Sequence, residues 1–136
     1  MKTIYKFRGK RIDNGQWIYG DLIQTRHNCY IVTFPFIPSL HINASEFIEI
    51  DPKTVGQFTG LFDKQGVEIY EGDIINTPDG IFIVNFILGS FWVNDIKNEN
   101  EAPLYVYANE IWPTRENEDE NISEVIGDIF SNPELL

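Results

Sequence analysis

Between Asp51 and Ile75 the chain reads Asp-Pro-Lys-Thr-Val-Gly-Gln-Phe-Thr-Gly-Leu-Phe-Asp-Lys-Gln-Gly-Val-Glu-Ile-Tyr-Glu-Gly-Asp-Ile-Ile. Four glycines and a proline surround three short apolar segments, so the backbone must reverse more than once. Asp63-Lys-Gln-Gly66 has the residues of a tight turn, Asp at its first position and Gly at its last. Val55–Phe62 and Val67–Tyr70 on either side are rich in β-branched and aromatic residues and read as strands. Gly60 and Gly72 sit where the chain has to bend, and at least one is expected at positive φ.

The rest of the chain repeats this rhythm. Thr3–Phe7 alternates polar and apolar residues and reads as a strand ending in the basic cluster Arg8-Gly-Lys-Arg11. Asp13-Asn-Gly15 signals a hairpin, since Asn and Gly both tolerate positive φ. On the return strand Gln16–Gln24, Trp17, Tyr19, Asp21 and Ile23 share one face and Ile18 and Leu22 the other. Asp21 makes the first of these faces only partly buried. Cys29–Phe34, Phe47–Ile50, Asp73–Thr77, Ile81–Leu88 and Phe91–Val93 are further strands, with Pro78-Asp-Gly80 as a second hairpin turn. Asp95–Pro103 and Thr114–Asn121 are polar and read as loops. Ser123–Phe130 reads as a strand, because three β-branched residues and a central glycine oppose a helix. Asn132-Pro133 then opens a helical turn, Asn as cap and Pro first. Val55-Gly-Gln-Phe and Ile126-Gly-Asp-Ile echo each other, which suggests neighbouring strands of one sheet.

Strands of four to eight residues at roughly ten-residue intervals, without a long 3.6-residue period, are the pattern of an all-β fold. The expectation is a mostly β protein, a small SH3-like barrel or compact β-sandwich with extra strands and only short helical turns. It is read as a single domain over 1–136, within which an N-terminal β subdomain 1–50 could pack on a barrel 51–136.

Charge is the unusual bulk property. The 136 residues carry a formal net charge of −11. Residues 1–48 hold six Lys/Arg against three Asp/Glu, residues 49–98 three against eight, and residues 99–136 one (Arg115) against ten. Such a balance favours solubility and disfavours general affinity for nucleic acid or anionic lipid. The longest apolar runs are too short to span a membrane, and Met1–Arg8 lacks the apolar core of a signal peptide. A single cysteine, Cys29, permits no internal disulfide and fits a reducing cytosol. The Asn43-Ala-Ser45 and Asn121-Ile-Ser123 sequons are then incidental.

Thr54-Val-Gly-Gln-Phe-Thr-Gly-Leu61, Asp63-Lys-Gln-Gly66 and Glu68-Ile-Tyr-Glu-Gly-Asp-Ile-Ile75 together resemble the central signature of the YopX family of phage and prophage proteins. The ending Glu124–Leu136 resembles that family's C-terminus, and Lys6-Phe-Arg-Gly-Lys10 with Trp17-Ile-Tyr-Gly20 its N-terminal pattern. In residues 28–48 and 94–120 no motif of the family is recognisable. The resemblance implies a mostly β protein, encoded by a phage or prophage and acting in the cytoplasm of the bacterial host. The family has no established activity, so no catalytic motif carries over.

Chemistry-bearing residues are sparse. A metal site would have to draw on His27, Cys29 and His41, but further ligands at zinc spacing are missing. Cys29 is therefore read as a small core residue and the histidines as surface groups. Glu116-Asn-Glu-Asp-Glu-Asn121 lacks the leading Asp, sixth-position Gly and final Glu of a calcium loop, and is read as solvated. There is no Gly-x-Ser-x-Gly elbow and no phosphate loop. No carboxylate pair stands apart in an apolar pocket, and a Cys29–His41 nucleophile has no support. No enzyme activity, catalytic residue, metal or cofactor is expected.

Arg8, Lys10 and Arg11 beside Trp17 and Tyr19 are the one nucleic-acid-like feature, positive charge next to a stacking surface. The preferred reading is a charged hairpin end with core aromatics. The acidic C-terminal third could instead mimic DNA. The expected function is a non-enzymatic interaction module that binds a protein partner or itself, with nucleic acid and membrane not expected. Nucleic-acid binding or DNA mimicry, and hydrolysis, are the alternatives.

Overall fold

The computed structural model describes residues 4–33, 47–97, 100–108 and 122–136. Eleven strands among them form two antiparallel sheets, and helix is confined to single 3-10 turns. The mostly β expectation holds. Neither sheet closes into a barrel. The chain divides into two compact units, 1–58 and 59–136.

In the first unit β1 (Phe7–Lys10), β2 (Trp17–Gln24), β3 (Cys29–Val32) and β4 (Ile48–Ile50) form an antiparallel meander. β5 (Gly56–Phe62) pairs with β1 on its other side, Gly56 opposite Arg8. One face is the core: Cys29, Ile31 and Ile50 are buried, with Phe7, Ile18, Leu22 and Val55 packed on them. The alternation of β2 thus places Ile18 and Leu22 inward as its pattern implies. The meander curls until β4 returns to the end of β1, where Asp51 N–H donates to the Lys10 carbonyl (2.8 Å) and Ile50 bridges Arg11. A single bridge is not a ladder, so the curl stops short of closure.

Two expectations for this unit are corrected. The first strand starts at Phe7, so Arg8 and Lys10 lie within it instead of following it. The Asn-Gly signal does mark a hairpin, but only Gly15 (φ 72°) has positive φ. Gly15 N–H donates to the Arg11 carbonyl and Arg11 N–H to Gln16, while Asn14 Oδ1 accepts from Gln16 N–H. Asn14 prefers that local bond to the left-handed conformation a two-residue loop would need.

In the second unit β5 continues through Gly60 (φ 81°) to lie beside β6 (Glu68–Tyr70). The bend is held by Thr59, whose hydroxyl donates to the Ile69 carbonyl and accepts from Leu61 N–H. Gly72 (φ 92°) turns the chain into β7 (Asp73–Thr77), so both organising glycines take positive φ. β8 (Gly80–Ile87), β9 (Ser90–Asp95), β10 (Glu101–Pro103) and β11 (Glu124–Asp128) complete a sheet of order β10-β9-β8-β7-β11. Its core face buries Ile69, Ile75, Phe82, Val84, Val93 and Leu104. At about 25 cal/mol per Å² of apolar surface, such side chains each contribute roughly 1.5–3 kcal/mol.

Here too the sequence reading needs amendment. β10 forms at the end of the polar stretch read as a loop, and a 3-10 turn, Leu104–Val106, follows it. β11 pairs with β7 and not with β5, so the two echoing segments lie in different sheets. Asn132 precedes the 3-10 turn Pro133–Leu135 but caps nothing with its side chain. Its Oδ1 instead accepts from Asp128 N–H, closing a loop in which Asp128 Oδ1 accepts from Phe130 and Ser131 N–H.

Candidate interaction surface

β8 and β9 pair from Phe82↔Asp95 to Ile87↔Ser90, leaving Leu88-Gly89 as a two-residue loop. Both loop residues have positive φ, 52° at Leu88 and 82° at Gly89, as a type I′ hairpin requires. Leucine is a poor choice there, since its Cβ crowds the backbone by about 1–2 kcal/mol in this conformation. It is also 98% exposed, so no packing among the described residues offsets that strain. The strand was expected to run through Leu88; it ends one residue sooner because Gly89 permits the tight turn.

The apolar residues around the tip continue this anomaly. Phe82, Val84 and Phe86 share the core face, but burial stops at Val84 and Phe86 is exposed. Its ring lies 5.0 Å from that of Phe91, the residue directly opposite. On the other face Ile87 is exposed, and Trp92 donates its indole N–H to Ser90 Oγ at 2.8 Å. A solvated antiparallel face ordinarily alternates to polar residues; here the Phe86–Phe91 face is apolar to its end, the other face mixes Ile87 and Trp92 with Ser90 and Asn85, and the tip is apolar.

The apolar surface extends beyond the hairpin. Leu61, Phe91, Trp92, Pro103, Leu104 and Tyr105, with Ser90 as the polar member, line a groove of about 390 Å³ that shares Ser90, Phe91 and Trp92 with the hairpin. Tyr105 and Val106 at its edge are exposed. Contiguous exposed apolar surface of this kind marks an interaction site more often than scattered single residues do. No sequence motif announces it. Leu88-Gly89 between two apolar strands was the available signal, obscured because Leu88 read as one more strand residue.

The basic cluster is arranged differently from a nucleic-acid groove. Lys6, Arg8 and Lys10 share one strand face, and the Arg8 guanidinium lies over the Trp17 ring at 4.2 Å while buried to 4% exposure. Lys10 Nζ stands 5.3 Å from the same ring, and Lys6 Nζ 5.2 Å from Phe58. Arg11 points away and forms a bidentate pair with Asp13 (2.8 and 2.7 Å). That hydrogen-bonded pairing raises the Arg11 guanidinium and holds the Asp13 carboxyl below its ordinary range. Tyr19 remains partly exposed.

The other sequence candidates do not converge. His27 is exposed in the turn before β3, whereas Cys29 is buried in the core, so they do not share a strand face. His41 and the acidic run 116–121 lie outside the described residues. Among the described residues no three His, Cys, Asp or Glu side chains are grouped to hold a metal ion. A second groove, of about 530 Å³, is bordered by Asp79, Asp95, Lys97 and Glu134 with Ile81 and Leu136. Asp79 Oδ2 accepts from the Tyr107 phenol at 2.8 Å and Asp95 Oδ1 from Lys97 N–H, so both carboxylates serve local structure. Burial first, then the bond to Asp79, raises the Tyr107 phenol above its ordinary value.

The family model described as YopX protein matches residues 6–136. No curated protein matches the chain. No helix among the described residues is long and apolar enough to cross a membrane.

Proposed function

This chain belongs to the YopX family, and on that premise we propose that it is a non-enzymatic interaction module that binds a protein partner. We place it with phages or prophages and in the cytoplasm of their bacterial host. The observation that carries the reading is the continuous apolar surface from the Phe86–Leu88 hairpin end to the groove at Pro103–Tyr105. A chain with net charge −11 has ample means to stay soluble, yet it keeps this surface exposed. Aromatic and large aliphatic anchors beside a shallow groove suit the centre of a protein interface.

The test is affinity capture of the full chain from host lysate with and without nuclease, analysed by mass spectrometry. The expected result is a stoichiometric protein partner retained after nuclease treatment. Recovery of nucleic acid, with protein lost on nuclease treatment, favours the nucleic-acid alternative and overturns this one.

A further inference from the structure

We propose that the β8–β9 hairpin is an insertion finger, which places Leu88, flanked by Phe86 and Ile87, into an apolar cleft rimmed by basic residues on a partner protein. This rests on the interaction-module reading and names the contacting element and the partner's chemistry.

Three observations converge on the finger. Leu88 occupies a left-handed turn position at φ 52°, which Asn or Gly would hold with less strain, and its side chain is 98% exposed. Strain kept at a residue with no packing role among the described residues is the signature of a functional position. Phe86 on one face, Ile87 on the other (opposite Ser90) and Leu88 between them put an exposed apolar side chain on each side of the tip, so it can be surrounded by a cleft and not merely lie on a flat surface. A two-residue loop between paired strands is also stiff, so little ordering entropy is lost on insertion.

Charge selects among the occupants. Residues 59–136, the unit bearing the hairpin, contain three Lys/Arg against sixteen Asp/Glu, a net of −13. Within β8, β9 and β10 the only charged residues are Asp95 and Glu101, both acidic and both at the base of the hairpin, beside Phe82 and Asn94, where the rim of a cleft that takes the tip would lie. A second copy would bring two such units together against their repulsion. An anionic bilayer, the other environment that an apolar hairpin could enter, would repel the unit in the same way. A basic rim around an apolar cleft meets both features, with the charge speeding encounter and the finger setting residence time.

The experiment places benzoylphenylalanine at Phe86 of the full chain, and separately at Ile12 in the first unit, for photo-cross-linking in host cells. The cross-linked protein is identified, purified and titrated with wild type and with Leu88→Asn. The Asn-Gly pair so formed suits a type I′ turn, so the variant should melt about 3 °C higher. We expect a cross-link from position 86 to a protein whose affinity falls about thirtyfold in Leu88→Asn and weakens with added salt. Unchanged affinity in that more stable variant overturns the finger, as does affinity unaffected by salt. So does a cross-link to another copy, or binding of the chain to phosphatidylglycerol vesicles in place of a protein. A cross-link from Ile12 alone overturns the finger while leaving the interaction-module reading intact, and none from either position, with no partner in the capture experiment, defeats both.

Discussion

Asp63 and Val125, 62 residues apart in sequence, are joined by a hydrogen bond in which the Asp63 carboxylate Oδ2 accepts from the Val125 backbone N–H at 2.9 Å. The other oxygen accepts from Gln65 and Val67 N–H, at 2.8 and 2.9 Å, inside the tight turn. A fully buried side chain thus shapes the turn after β5 and fastens β11 to it, supported by Lys64 N–H donating to the Ser123 carbonyl. Asp63→Ala would leave three N–H groups without their acceptor. A donor left buried and unmet costs about 1–3 kcal/mol. Gln65 and Val67 are exposed residues whose N–H groups can turn to water, so we expect about 1–3 kcal/mol of lost stability in urea unfolding, chiefly from the Val125 bond. Asp63→Asn should lose less, since one acceptor oxygen remains. An alanine variant within about 0.5 kcal/mol of wild type, the range of ordinary surface changes, would sink this account.

Gly60 isolates the backbone contribution. A Cβ built there meets no atom within 4 Å, so only its φ of 81° resists substitution. Gly60→Val should cost more than the ~1 kcal/mol of an ordinary glycine replacement, because a β-branched residue is strained in that region. Gly72→Val, at φ 92°, should behave alike. Valine variants that both melt with wild type would remove these bends from the account of the fold.

Much of the architecture was legible because turns are chemically explicit. Asp63–Gly66, Pro78–Gly80 and the glycine bends name their own conformations, and the strands between them follow from alternation. Pairing was not legible. Val55-Gly-Gln-Phe and Ile126-Gly-Asp-Ile look alike, but β5 neighbours β1 and β6 while β11 pairs with β7, since local patterns carry no information on distant partners. The candidate surface was hidden for a related reason. Phe86, Ile87 and Leu88 read as strand residues like those before them, and only the end of burial at Val84 reveals that nothing in the described chain covers them. The basic cluster was legible in composition but not in posture, because stacking of Arg8 on Trp17 depends on the register Arg8↔Tyr19 and Lys10↔Trp17.

The Tyr107–Asp79 bond yields a pH prediction. Tyr107 is buried against Phe82, ring centroids 5.4 Å apart, and burial followed by the Asp79 carboxylate raises its phenol. A folded-state value above the unfolded one, about 10, gives stability that is fully present below pH ~10. That stability is lost as pH rises through the raised folded value. Thermal melts between pH 8 and 11 should therefore show an alkaline loss that Tyr107→Phe reduces. At neutral pH the same variant should cost about 1 kcal/mol, the worth of one hydrogen bond. An alkaline limb identical in the two proteins would assign the loss to other groups.

The last prediction is that the protein does not bind DNA or RNA appreciably at physiological salt. Nucleic-acid affinity comes mostly from neutralising phosphates, and it rises with the number of cations that reach the backbone. Only four cations, Lys6, Arg8, Lys10 and Arg11, cluster in the first unit, and their positions reduce that number further. Arg8 is buried over Trp17, and Arg11 is paired with Asp13. Lys10 also approaches Trp17, so cations occupy the aromatic surface on which a base would have to stack. The acidic residues elsewhere do not decide the matter, because charges more than about 8 Å from a contact are largely screened at 0.15 M salt. What decides it is that binding must first displace Arg8 from Trp17, at the cost of a cation–π contact worth up to about 2 kcal/mol when desolvated. Fluorescence anisotropy with labelled single- and double-stranded oligonucleotides at 0.15 M salt should show no saturation into the micromolar range. Micromolar binding there, abolished by Lys10→Ala and Arg11→Ala together in a protein that still melts as wild type, would instead make the β1–β2 face a nucleic-acid site.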